Sequence, residues 1–176
     1  MKKKYTNLFA SIHWIHAAMI AFVLVGATVT LPDLPEVAEK LAPFKGHMIF
    51  GFIVTLVTFL RIYMVRKQPE LEPLDVSPLR QMLIVWNHRL IYVMLVVVGL
   101  SGMATAKSAN IGQILIFGQD PSVYTGPGGI TATLASIHSA STTLLMLLIA
   151  MHVAGTLLYM IKSRENILKR VGFGQG

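Results

Sequence analysis

The chain has 176 residues, 54% hydrophobic and 13% charged, with a mean hydropathy of +0.64; a soluble domain would carry roughly twice that charged share. The bilayer is therefore the expected solvent, and the net charge of +7 reads as membrane topology rather than a nucleic-acid surface. The absence of cysteine excludes disulfides, iron–sulfur clusters, thiolate zinc sites and covalently attached c-type haem.

Four apolar segments follow in chain order, approximately 8–31, 46–65, 82–106 and 131–161. Each is near the ~20 residues that a spanning helix needs. The first starts after Lys2, Lys3 and Lys4 and ends at Pro32 and Pro35. It has the basic start and the small residues (GATVT) of a cleaved signal. Its apolar run is long for one, however, and His13, Trp14 and His16 interrupt it, so a retained span is expected. Pro43 precedes the second segment, which runs into Arg61, Arg66 and Lys67; Pro69, Pro73 and Pro78 fill the next link. The third begins beside Arg80, His88 and Arg89. The loop 107–129 after it contains IGQILIF, apolar enough to lie on the membrane or cover a site, and closes with PGG. The fourth is followed by Lys162, Arg164, Lys169 and Arg170.

Basic residues gather at one end of the four segments. The other end has Lys40, Lys45 and Lys107 against Asp33, Glu36, Glu39 and Asp120. The positive-inside rule then places both termini in the cytoplasm. The expected fold is all-α: one domain, 1–176, forming a four-helix transmembrane bundle, without repeats or low-complexity tracts.

All six histidines fall in or beside the spans: His13, His16, His47, His88, His138 and His152. Taken singly, each reads first as an interhelical hydrogen-bonder or a boundary residue. As a set they have a geometry. His138 and His152 are fourteen residues apart, so they share one helix face, with a rise of ~21 Å between them. That is too far for one mononuclear or carboxylate-type dimetal site, and it suits two stacked haems, one near each leaflet. Alternating helix direction sets depth. His13, early in the first span, matches His152 near the inner leaflet; His47, early in the second, matches His138 near the outer. Neutral imidazole is a good axial ligand for haem iron, and iron satisfies its lone pair.

His16 is one turn from His13, and packing is its first explanation. His88 opens the third span near the inner side and is a candidate partner for a haem propionate or a quinone carbonyl. Arg61 is a candidate propionate partner for the inner haem, or it snorkels; Lys45 stands in the same relation to the outer haem. Tyr159 reads as a quinone contact or as packing. Gly46, Gly51, Gly99, Gly102 and Gly155 permit close approach of helices, or of a flat macrocycle. There is no Walker loop, GxGxxG after a strand or HExxH. No acidic residue lies inside a span, where a coupled transporter would usually need one. No residue is assigned a catalytic role. The non-redox alternative is a small transporter or metal-binding membrane protein that uses the histidines directly.

Four motifs occur in order: SIHWIH, then KGHMIFGF leading to LRIYMVRK, then NHRLIYVMLVVVGLSGM, then SIHSAS with AMHVAGTLLY; the tail KSRENILKRV follows them. Together they make the chain resemble the bacterial cytochromes b561, small four-helix dihaem b-type cytochromes of the inner membrane. The resemblance implies two haem b groups with axial ligands His13, His47, His138 and His152, the pairs that depth matching also reaches. It implies multi-pass residence in the bilayer and electron transfer between an outer-face partner and ubiquinone or another quinone. Some members of the family are superoxide oxidases (superoxide:ubiquinone); others are cytochrome subunits of a separate dehydrogenase or hydrogenase. A positive outer funnel would best collect superoxide. The three lysines and four acids of the outer loops leave the donor open between superoxide and a redox protein.

Overall fold

The computed structural model describes residues 4–30, 37–68, 71–125 and 128–172. Helix α1 (Asn7–Thr30) is followed by α2 (Val37–Val65), α3 (Pro78–Ser108), the short α4 (Ile111–Leu115) and α5 (Gly129–Ser163). Among the described residues, α1, α2, α3 and α5 are long and apolar enough to cross a membrane. The chain is thus an all-α, multi-pass membrane protein. The expected breakers Pro32, Pro35, Pro69 and Pro127, and the charges Lys2, Lys3, Asp33 and Glu36, lie outside the described residues.

Helix ends follow local chemistry. Pro78 occupies the first turn of α3 behind Ser77, where its missing N–H costs nothing. Asn110, left-handed at φ 58°, separates α3 from α4, and Arg164 at φ 57° ends α5. Asn tolerates that backbone better than most residues. Pro43 differs from expectation. It lies inside α2 rather than before it. It falls in the second turn, so its lost bond removes little from a helix whose spanning part begins at that residue.

The closely packed helix pairs are α1 with α2, α2 with α3, and α3 with α5; α5 stands off from α1 and α2. Gly99 sets the α2–α3 approach, because a Cβ there would run into the Thr55 side chain. The buried apolar core is small: Val54, Leu95 and Leu145, with Met19, Ile20, Val23, Ile91, Met94, Val98 and Ile149 packed on it. Large apolar side chains mostly face outward, such as Leu56, Leu147 and Ile161. A bilayer reverses the meaning of such exposure, since lipid tails are as apolar as leucine.

Hydrogen bonds lace the basic end together. Trp14 Nε1–H donates to the Val171 carbonyl at 2.7 Å, and the Tyr5 amide donates to the Arg170 carbonyl at 3.0 Å. Arg170 donates to the Glu72 carbonyl at 2.6 Å. The 3-10 helix Ile167–Val171 is thereby held against the start of α1. At the other end α4 packs on α2, with Leu115 buried and Gly112 facing Met48. Part of the apolar loop segment therefore covers the bundle beside His47, while Ile116 and Phe117 stay exposed.

Candidate functional site

The histidines form two layers, with the apolar core between them. Three helices repeat the spacing of two turns: His47, Val54 and Arg61 on α2; His88, Leu95 and Gly102 on α3; His138, Leu145 and His152 on α5. Seven residues rise by ~10 Å and return to nearly the same face. Val54, Leu95 and Leu145 are the core cluster. They form a buried apolar partition between the two polar layers.

The layer at the neutral end contains His47 and His138. Their ring centroids are 6.2 Å apart and their planes meet at 89°. A metal held between two imidazoles at ~2 Å from each nitrogen, with about 1 Å more to each ring centre, would separate the centroids by roughly 6 Å. His138 Nδ1–H donates to the Val98 carbonyl at 2.9 Å, so the lone pair lies on Nε2, as a ligand needs. Ser101 Oγ lies 3.4 Å from the same Nδ1 and donates to Val98. Gly102 supplies the space for the ring: a Cβ there would come within 2.9 Å of His138 Cε1. His47 Nδ1 is buried without a hydrogen-bond partner. An orphaned buried nitrogen is uncommon. It marks His47 as a side chain placed for something other than packing. Lys45 is exposed at this same end.

The layer at the basic end is built differently. Arg61 Nη2 donates to His13 Nδ1 at 2.9 Å, and Arg61 Nη1 approaches His16 Nδ1 at 3.4 Å. The guanidinium carbon lies 5.4 Å from the Phe9 ring centroid and 5.5 Å from that of Tyr92. Arg61 Nε is buried and unpartnered. His16 is fully buried and satisfied, with Nε2 3.1 Å from the Val54 carbonyl and 3.2 Å from Thr58 Oγ1. His152 packs edge-on to His88, with centroids 4.7 Å apart, too close to admit a metal between them. His88 Nδ1–H donates to the Ile84 carbonyl at 2.7 Å. Tyr159 donates to Glu165 Oε2 at 2.9 Å.

The structure thus brings the His47 and His138 rings together at right angles. It gathers His13, His16 and Arg61 at the other end, with His88 and His152 in electrostatic reach of His13. It does not bring the His13 and His152 rings into contact. Among the described residues no three His, Asp or Glu converge as a direct metal site. Gly99 and Gly102 serve close approach, whereas Gly46, Gly51 and Gly155 have nothing within 4 Å of a Cβ position. Phe9, Tyr92 and the Val98 carbonyl were not foreseen. For Tyr92 a signal existed, since it lies one helical turn beyond His88 and so on the same face.

The residues present fit haem b. The pair at the neutral end has the centroid spacing of two imidazoles on one metal, His138 has the tautomer for it, and α5 stands off from α1 and α2. No curated protein matches the chain. The sequence matches the family described as prokaryotic cytochrome b561 over residues 4–174, nearly its whole length. The chain therefore belongs to the prokaryotic cytochrome b561 family, membrane electron-transfer proteins that bind haem b.

Proposed function

We propose that the protein is a dihaem cytochrome that carries electrons across the bacterial inner membrane, between a donor at the outer face and the quinone pool. His47 with His138 would hold one haem and His13 with His152 the other. The observation that carries this reading is the His47–His138 pair, 6.2 Å between centroids with His138 fixed by the Val98 carbonyl. Haem, when bound, supplies reversible one-electron chemistry. The protein's own residues do the rest. Val98 orients His138, Gly102 gives its ring room, and Val54, Leu95 and Leu145 keep water from the space between the layers. The basic end is taken as cytoplasmic from its lysines and arginines. His88 and Arg61 at that end are the candidates for contact with a quinone or a propionate.

A pyridine-haemochrome assay on quantified protein tests this reading, with two b-type haems per chain expected. Protein purified without haem would sink it. The donor divides into two readings. Superoxide is one. The other is a cytochrome subunit that takes electrons from a separate dehydrogenase or hydrogenase, and the near-neutral outer loops leave both open. Fast haem reduction by superoxide supports the first; co-purification of a redox partner with poor activity towards superoxide supports the second.

A further inference from the structure

We propose that Arg61 guards His13, and that the basic-end site opens only to a ligand that brings its own carboxylates. This rests on the haem reading above and deepens it, by naming the propionates as the groups that release the ligand histidine.

A neutral imidazole has one lone pair and one N–H. Arginine has donors only. The nitrogen of His13 that faces Arg61 at 2.9 Å must therefore be the one with the lone pair. The other nitrogen then carries the proton and cannot bind iron. The conclusion survives a flip of the ring, because whichever nitrogen meets the guanidinium gives up the lone pair. His13 can serve Arg61 or a metal, but not both.

Arg61 has reason to leave. It is a cation in a membrane-spanning helix whose hydrogen-bond partners are neutral imidazoles. Among the described residues no carboxylate pairs with it, and no acid occurs within the spans. Its Nε is buried with no partner, and the faces of Phe9 and Tyr92 lie beside it. A buried charge without a counter-charge is expensive. A carboxylate offers charge-assisted, bidentate bonds that an imidazole cannot. When Arg61 turns to a propionate, His13 recovers its lone pair. Carboxylate recognition and iron ligation thereby become one event. His16 keeps its Nε2–H on the Val54 carbonyl, so Arg61 would release its Nδ1 as well, but the His16 ring is fully buried whereas that of His13 is part-exposed.

The neutral-end pair has no such guard. There the Val98 carbonyl accepts from His138 and leaves Nε2 free. The two layers should therefore differ in their demand for carboxylates.

The test compares haem b with its dimethyl ester, in which both propionates are masked. Chains expressed without haem are titrated optically in nanodiscs of zwitterionic lipid, so that no lipid of net negative charge stands in. His138→Ala isolates the basic-end pair and His152→Ala the neutral-end pair. The expected result is ester binding at least tenfold weaker than haem binding in His138→Ala, with a much smaller difference in His152→Ala. Adding Arg61→Met to His138→Ala should abolish the preference for haem. Equal affinity for haem and ester in His138→Ala would overturn the proposal, and so would a full preference that survives Arg61→Met. The comparison of the two ligands in His138→Ala needs no change at Arg61, so a misfolded Arg61→Met leaves the test intact. Failure of every chain to bind haem would instead overturn the cytochrome reading.

Discussion

The two histidine layers use the same side chain in opposite ways. At the neutral end, His138 gives its proton to a backbone carbonyl and faces His47 across a gap of coordination size. At the basic end, His13 gives its lone pair to Arg61, His16 has Nε2 held by backbone and hydroxyl while its Nδ1 faces Arg61, and His152 leans on His88. The difference lies in the partner. A carbonyl can only accept, so it frees a lone pair; a guanidinium can only donate, so it consumes one. The same imidazole keeps a free lone pair in one layer and has it engaged in the other.

The sharpest way to break this comparison is to remove one ligand from each layer. His138→Ala and His152→Ala should each lower the haem content from two to one per chain, with different remaining spectra. Haemochrome stoichiometry and a redox titration check it; if either variant kept both haems, the pairing would be wrong. A lesser effect should come from His16→Ala. It should keep both haems but lose about 2–4 kcal/mol of stability, as a buried, hydrogen-bonded side chain becomes a cavity. Unfolding in detergent measures the loss, and retained haem distinguishes packing from ligation.

Gly102→Ala should act on the neutral-end layer alone. Its Cβ would press on His138 at 2.9 Å, and overpacking of this kind costs about 1–3 kcal/mol. The expected sign is a changed EPR signature and potential for one haem, with the other unchanged. The smallest effect is expected from Trp14→Phe. It removes the 2.7 Å bond to the Val171 carbonyl, worth about 1 kcal/mol. Hydrogen exchange across 167–171 should rise while haem content stays at two.

Much of the fold was legible because it depends on local sequence. Four apolar runs, their breakers and the sorting of Lys and Arg are properties of neighbouring residues. Pro43 shows the limit, since whether a proline precedes a helix or sits in its second turn depends on the turn before it. The membership of the two layers was also legible, because chain order fixes helix direction and direction fixes depth. The glycines were legible only in part. Gly99 and Gly102 mark close approaches, but nothing in the sequence separates them from Gly46, Gly51 and Gly155, which meet open space.

By itself the sequence determined the solvent, the number of spans, the depth of each histidine and the sign of each end. These follow from composition and from a rise per residue that every helix shares. Only the tertiary structure decided which way the protons of His13 and His138 point. That depends on the rotation of each helix against its neighbours, which sets Val98 against His138 and Arg61 against His13. It also placed Val54, Leu95 and Leu145 together at the midpoint. In the sequence they are three ordinary apolar residues among many; in the bundle they divide one layer from the other.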